Sequence, residues 1–538
     1  MILKRFLTFF FILIAHLSFS RIDSLEYHIQ GFATMGTEGY PPHWIESNRY
    51  GMFSDTTYNL MLVPGFSLPM SFGKKFGIEI GFDAAFSLNV KRNFIYQGYL
   101  NLRYGKLKLI AGRQEYTIGQ YSERLSIGSF IVSNNALPYP RVGIGFYEYV
   151  DVPFTKGYVQ VMGALNHGWL EEDRFEHSLT SDSYVQEKFA YIRSNKLPVN
   201  LHLGIAHLGI YGGVRSDGTK IPYDYWSVFF ARPSNVSNQK GEAANAYGEH
   251  MGIFDWGLNF RIKGLKFQLY QQKPINDGSG FHTLFKYNKD NYIGGIVETK
   301  IPFFKKFLYE YVSTTYQAGN GIPDPVVEGK VRLPFMEEDR LWLEQYYTDL
   351  GHDVSGFDVT DWYNFLINEI NYGHRFGGRV DYYNNQNYRN IYQGRIMGIS
   401  IFHTKLQMLK YTGIEVDGQY IVNNRVKAHN FGFEGAINPR LNYWAKITYT
   451  QNYGAWQEYE GRYAWGGIAI DPDFEWYYKG SKTQWYSLFE IDYRFAKVKG
   501  LSLQAAVSYD FGQIIDNFGG LLGLRYSGSV NFKKSAKN

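Results

Sequence analysis

Gly77-Ile-Glu-Ile-Gly-Phe-Asp-Ala-Ala-Phe-Ser-Leu-Asn89 sets Ile78, Ile80, Phe82, Ala84, Phe86 and Leu88 on every second position, with Glu79, Asp83, Ser87 and Asn89 between them. Side chains along a strand point alternately to opposite faces, so this stretch offers oil on one side and water on the other. Leu501–Phe511 repeats the pattern: Leu501, Leu503, Ala505, Val507, Tyr509 and Phe511 oppose Ser502, Gln504, Ser508 and Asp510. Alternating segments of about ten residues, repeated behind an export signal, predict a transmembrane β-barrel. The fold class expected is all-β: a large antiparallel barrel of about 18 strands, an even number.

Working outward, strands pair across tight turns. Tyr58–Met70 and Phe76–Asn89 flank Gly73-Lys74-Lys75, Phe94–Tyr104 and Leu107–Gly119 flank Gly105-Lys106, and Phe254–Ile262 and Leu265–Gln272 flank Lys263-Gly264. Val426–Ile437 and Leu441–Asn452 meet at Asn438-Pro439-Arg440, and Thr483–Phe495 and Leu501–Phe511 meet near Lys497–Gly500. Gly, Asn and Pro stand where the backbone must reverse. Further strands are expected at Gly157–Asn166, Asn200–Tyr211, Ile293–Pro302, Phe307–Gln317, Gly377–Tyr383, Arg395–Phe402 and Gly520–Phe532. Counting back from Phe532 with termini and short turns in the periplasm, Gly454–Lys482 and Gly512–Gly519 fall outside the cell.

Two stretches break the period. Glu337–Leu350 and Asp361–Tyr372 show helical spacing, with Trp362, Phe365, Leu366 and Ile370 on one face, Thr360 as N-cap and Gly351 as a stop. They define a helical insertion at 335–373 within a barrel domain of 21–538. Ser183–Arg193 is a weaker helical candidate.

The ends and the composition narrow the class. Met1–Ser20 reads as a signal peptide: Lys4 and Arg5, then apolar Phe6–Leu17, then Ser18 and Ser20. Its removal lowers the formal charge from +5 to +3, too small an excess to point to nucleic acid. The absence of Cys excludes disulfides, thiolate metal sites and a Cys nucleophile. The 46 Tyr, 41 Phe and 11 Trp suit interfacial aromatic girdles.

Leu125-Ser-Ile-Gly-Ser-Phe-Ile-Val-Ser-Asn-Asn-Ala-Leu-Pro-Tyr-Pro140, after Gly112-Arg113-Gln114, resembles the Wzi family of outer-membrane capsule assembly proteins: a Ser/Gly-rich run, Ser-x-Asn-Ala, then spaced prolines. Asp381–Tyr388, Gly394-Arg-Ile-Met-Gly398 and Leu441–Gly454 fit the same family in patches. The resemblance implies a large closed barrel with a periplasmic helical bundle and a surface role in attaching capsular polysaccharide. The family's sugar-contacting loop residues match nothing in this chain. Thr34–Glu46 is either a second departure from the period or a leading segment.

Catalytic signatures are missing. The 13 His are scattered, and His202 and His207 lack a third ligand at sensible spacing. There is no Gly-x-Ser-x-Gly elbow and no phosphate-cradling glycine loop. No catalytic residue, metal or cofactor is therefore assigned. The binding candidates are aromatic: Trp456, Tyr459, Tyr463, Trp465, Trp476 and Tyr477 in Gly454–Lys482, among Glu458, Glu460, Arg462, Asp471, Asp473 and Glu475, and a second group at Tyr223, Tyr225 and Trp226. Flat rings suit the C–H faces of sugars, and neighbouring carboxylates and amides orient the hydroxyls. The same rings also suit an interfacial girdle.

The expected function is a non-catalytic barrel in the outer membrane of a Gram-negative cell that binds or organises surface capsular polysaccharide. Its expected partners are that polymer, outer-membrane lipid and lipopolysaccharide, and companion proteins of an outer-membrane complex. A diffusion or uptake porin for oligosaccharides, or a barrel subunit of an export or assembly complex, is the alternative. Inward positions such as Glu79, Asp83, Lys266, Gln268, Lys446, Asp492 and Arg494 fit a wet lumen or a closed one.

Overall fold

The computed structural model describes residues 22–55, 57–88, 93–171, 179–237, 246–276, 290–315, 317, 382–385, 387–416, 420–455, 477–478 and 481–532, with scattered positions between 326 and 365. Met1–Ser20 lies outside them.

Eighteen antiparallel strands close into one ring. They are β1 Ser24–Gly36, β2 Asn59–Phe72, β3 Phe76–Ser87, β4 Phe94–Tyr104, β5 Leu107–Arg113 and β6 Arg141–Asp151. Next come β7 Val159–Trp169, β8 Tyr184–Ser194, β9 Val199–Tyr211, β10 Glu249–Ile262, β11 Leu265–Ile275 and β12 Asn291–Glu298. The last six are β13 Lys306–Ser313, β14 Val426–Asn438, β15 Leu441–Asn452, β16 Lys482–Arg494, β17 Leu501–Gly512 and β18 Asn517–Asn531. Each strand pairs with its sequence neighbours, and β18 returns to β1 in the register Ser24↔Asn531 through Gly36↔Gly519. Closure leaves no strand edge unpaired, which a lipid environment requires.

Alternation dictates the faces. In β9, Leu201 and Leu203 are exposed on the outer wall, while His202, Ala206, Leu208 and Ile210 are buried inside. Among the described residues no helix is long and apolar enough to cross a membrane.

Most expected strands are present, and Phe94–Tyr104 and Leu441–Asn452 match to the residue. Several expectations need correction. Ser183–Arg193 is strand β8, not helix. Its inward face carries Glu187 and Arg193 among Val185, Phe189 and Tyr191, so polar groups hide the period of two. Two strands, β1 and β6, were missed altogether. Leu107–Gly119 ends as a strand at Arg113, and the chain then turns into the barrel. Arg395–Phe402 contributes only Arg395–Ile396, paired with Ile391–Tyr392. Of Gly377–Tyr383, only Tyr382 and Tyr383 are described, and they form a turn.

Short connections and both termini of the barrel gather at one end, long connections at the other. The connection 314–425 leaves β13 and rejoins β14 at the long-loop end, where Ser313 pairs with Lys427. Because short turns and termini mark the periplasmic side, the expected periplasmic position of the helical insertion is corrected: the connection carrying it springs from the opposite mouth. Of the insertion itself only scattered positions are described; 341, 344–345 and 347–349 are helical, and the Tyr347 and Phe365 rings meet edge to face at 5.1 Å.

Candidate functional site: the plugged mouth

Three long connections fold back into the barrel and fill its upper half. The first, 37–58, brings the short helix α1 (His43–Glu46), all of whose residues are buried. The second is 114–140, and the third is 382–425. Leu125, Ile127, Phe130 and Ile131 of the second join Trp44 and Ile45 of the first and Tyr383, Ile391 and Ile399 of the third in one buried cluster with the inward strand faces. Thr34–Glu46 is thus the end of β1 followed by a plug element.

The Ser/Gly/Asn-rich run works as mortar between these segments. Ser133 Oγ donates to the Gly398 carbonyl at 2.5 Å, and the Asn135 amide donates to the Ile396 carbonyl at 2.9 Å. Asn134 Nδ2 donates to the carbonyls of Asn48 at 3.0 Å and Glu123 at 2.7 Å. Short polar side chains satisfy backbone groups that irregular buried loops would otherwise leave unpaired. Gly128, at φ +120° and with its Cα side against Ser133 and Gly398, tolerates no side chain without strain.

Carboxylates on the inward strand faces hold the plug to the wall. Glu310 of β13, 1% exposed, accepts from Tyr270 and Tyr292 hydroxyls at 2.7 Å each, from Ile127 N–H at 3.0 Å and from Asn430 Nδ2 at 2.9 Å. Glu187 of β8 accepts from Tyr116 at 2.7 Å and Tyr139 at 2.6 Å, as well as from Asn166. Asp255 of β10 accepts from Tyr121 at 2.6 Å and Gln272 at 3.0 Å. Asp510 of β17 accepts the His43 N–H at 2.7 Å, and Glu490 of β16 pairs with Arg49 at 2.5 Å. Such anchors are stable when every donor is matched. Lys446, an inward position open to either reading from sequence, lies 3.2 Å from the Trp44 ring centre.

Within the plug, Arg395 pairs with Glu46, whose carboxyl burial pushes above the usual range despite the guanidinium. His403 is fully buried. Its Nδ1 accepts from Asn423 Nδ2 at 3.0 Å, and Nε2 meets the Tyr486 hydroxyl at 3.1 Å. An acceptor Nδ1 requires the neutral ring, and burial lowers its pKa to about 4. A helix, α2 (Tyr225–Phe229), lies elsewhere, and a third, α3 (Lys405–Thr412), caps the plug. Thr404 and Gln407 form the capping box of α3, and Gly413 ends it at φ +71°.

At the mouth, a cavity of about 510 Å³ opens between 51–59, Ser87, Asn93–Phe94, Arg113 and Gln393–Arg395. Asn59, Asn93, Gln393, Ser54 and Asp55 surround the Phe53 and Phe94 rings there, a mix of amides, hydroxyls, a carboxylate and aromatic faces. Sequence reading missed it because the polar groups come from three separate connections and the start of β2.

The aromatic candidates are not brought together. Trp456, Tyr459, Tyr463, Trp465 and Trp476 lie outside the described residues. Tyr477 is half-buried, 4.9 Å from Tyr478 and 4.6 Å from the Lys482 ammonium, beside Met408, Val416 and Ile514. Burial pushes its phenol up to about 12. Tyr223, Tyr225 and Trp226 stand six strands away around the ring, on the outer wall. There Val228 packs over outward-facing Gly209, and Lys188 reaches the Phe229 carbonyl and His207. Tyr223 sits 5.1 Å from Tyr184 and 5.3 Å from Tyr211, while Trp226 is 59% exposed. Facing outward at the rim suits the girdle role that the sequence left open. The anchoring acids Glu187, Asp255 and Glu310 were missed; the surplus of Tyr was their only signal.

The family model for Capsule assembly protein Wzi matches residues 63–324, a span holding the 114–140 plug segment and those three acids. Among solved structures, the chain is similar to Wzi of Escherichia coli, an outer-membrane protein involved in group 1 capsule assembly and described as a carbohydrate-binding β-barrel, at 12% identity, 96% coverage of this chain, 86% of that chain and TM-score 0.50. OprD of Pseudomonas aeruginosa gives 9% identity, 95% and 96% coverage and TM-score 0.44, and OccK3 of the same organism 10%, 94% and 96%, and 0.43. Among curated proteins, none matches. Residues 63–324, which hold the 114–140 plug segment and those three acids, match the Wzi capsule assembly family model, and the chain closes as an eighteen-stranded outer-membrane β-barrel of Wzi-like fold.

Proposed function

We propose that this protein binds surface polysaccharide at its long-loop mouth and holds it at the cell surface without catalysing a reaction. The observation that carries this reading is the plug. Three connections fill the upper lumen and are anchored by buried carboxylates, so the mouth is a shaped surface on a rigid wall rather than the opening of a channel. Loops set on a rigid scaffold are where binding residues collect, and the amide- and ring-lined cavity at 51–59, 93–94 and 393–395 offers the chemistry a sugar takes. The rings of the connection 453–481, namely Trp456, Tyr459, Tyr463, Trp465, Trp476 and Tyr477, are assigned to the same surface, while Tyr223, Tyr225 and Trp226 on the outer wall are assigned to the membrane interface beside it.

The test is binding of purified protein to native surface polymer, comparing the parent with Trp456→Ala, Trp465→Ala and Trp476→Ala combined and with Gln393→Ala. Each lost stacked ring removes roughly 1 kcal/mol. Variants that keep heat-resistant migration on gels but bind polymer like the parent would exclude the mouth. The porin alternative predicts stable large conductance in planar bilayers, whereas the filled upper lumen predicts a silent barrel.

A further inference from the structure

Beneath the plug, the lower barrel is not filled. A cavity of about 590 Å³ lies between the underside of residues 114–121 and the inward faces of β5–β11. Lys108, Arg193, Asn200, Asn259 and Lys266 of its lining stand within the first or last four residues of their strands, at the ends beside the short turns, so the cavity opens at the periplasmic end.

Its charge is unbalanced toward cations. Arg193 stacks on Tyr149 at 3.7 Å and donates through Nε to Gln160, and it has no carboxylate partner among the described residues. Arg141 lies 3.3 Å from the Tyr116 ring centre and donates to the Gln114 carbonyl, and its Nε has no acceptor. Lys108 makes no ion pair among the described residues, and Lys266 pairs with Glu298 at 3.1 Å. The two acids of the lining are already engaged: Asp255 accepts from Tyr121 and Gln272, and Glu115 accepts from Tyr96. Guanidinium groups fixed on tyrosine faces are set in advance for a carboxylate.

We propose that this periplasm-facing vestibule is a second binding site, for a carboxylate-bearing oligosaccharide. It goes beyond the mouth reading and does not depend on it. Sugar is favoured over acidic peptide because the cations alternate with amides and rings. Asn259 and Gln268 offer hydroxyl partners, and Tyr147 is part of the same lining.

The experiment uses full-length protein in detergent micelles, with tetragalacturonate as probe, its neutral methyl ester as control, and tetraglutamate and inorganic phosphate as competitors, followed by calorimetry. Tetragalacturonate is expected to bind, and its ester not. Arg193→Gln and Lys108→Gln are each expected to weaken it about tenfold, while migration on gels stays heat-resistant. The triple Trp456, Trp465 and Trp476 to Ala variant is expected to bind it unchanged, which separates this site from the mouth. Equal binding of the ester, unaltered affinity in both cation variants, loss in the triple variant, or equal displacement by tetraglutamate or phosphate would each overturn the proposal.

Discussion

The upper and lower halves of this lumen are built on the same strands yet solve opposite problems. In β14, Val426, Ala428 and Asn430 at the long-loop end are fully buried, whereas Glu434 near the short turn is partly exposed and pairs with Lys306 at 3.7 Å. Above, inward acids meet tyrosines and amides of the loops and of neighbouring strands. Below, cations face water without enough acids to match them. An inward polar residue therefore has no fixed meaning in a barrel; its role depends on whether a loop reaches it.

The largest effect should come from breaking the upper half at its hub. Glu310→Ala leaves four buried donors without their acceptor, each costing roughly 1–3 kcal/mol before relaxation, so the plug should loosen by about 3–5 kcal/mol. Single-channel recordings should show openings absent from the parent, and protease should reach residues 114–140. A silent, protease-resistant variant would mean that the apolar cluster alone holds the plug.

Next in size is a pH effect. The His403 pKa falls in the fold to about 4 through burial, from about 6.5 when unfolded. The group is therefore neutral in the fold, and its contribution is complete above the unfolded pKa. It is lost progressively as pH falls from about 6.5 to 4, by about 3 kcal/mol in all. His403→Gln should flatten that part of a plug-release curve measured by conductance, while lower-half vestibule binding keeps its own pH profile.

Smaller still is the outer wall. Burial pushes the Asp224 carboxyl up, but bonds from Ser234 and Ser227 outweigh it and hold it below its usual range. This N-cap of α2 should therefore fail only as pH falls through the acidic end of the carboxylate range. Asp224→Ala should cost about 1 kcal/mol of local stability, read as faster hydrogen exchange at 225–230 with unchanged conductance. Smallest of all, Trp226→Phe should leave both lumen halves intact, and brominated outer-leaflet lipid should quench less of the fluorescence. Quenching equal to the parent's would remove Trp226 from the membrane interface.

Where lipid forced one face apolar, the sequence was legible. Phe94–Tyr104 and Leu441–Asn452 alternate cleanly and were placed to the residue. β8 was not, because Glu187, Lys188 and Arg193 blur its period. Each of the three serves a partner far away in sequence: Glu187 meets Tyr139, Lys188 meets Phe229, and Arg193 meets Tyr149. The run Leu125–Pro140 announced a family but not a location, since its serines and asparagines bond to backbone around 396–398 that only the fold brings near.

The sequence by itself determined a closed antiparallel barrel and its two unlike ends, because strand period and turn chemistry are local and lipid punishes any exception. Only the tertiary structure decided that the lumen is plugged above and open below, that Tyr223, Tyr225 and Trp226 face outward rather than over the mouth, and that Glu187, Asp255 and Glu310 are anchors. Those facts rest on contacts between residues tens to hundreds of positions apart, and no local pattern encodes which buried donor will find which acceptor.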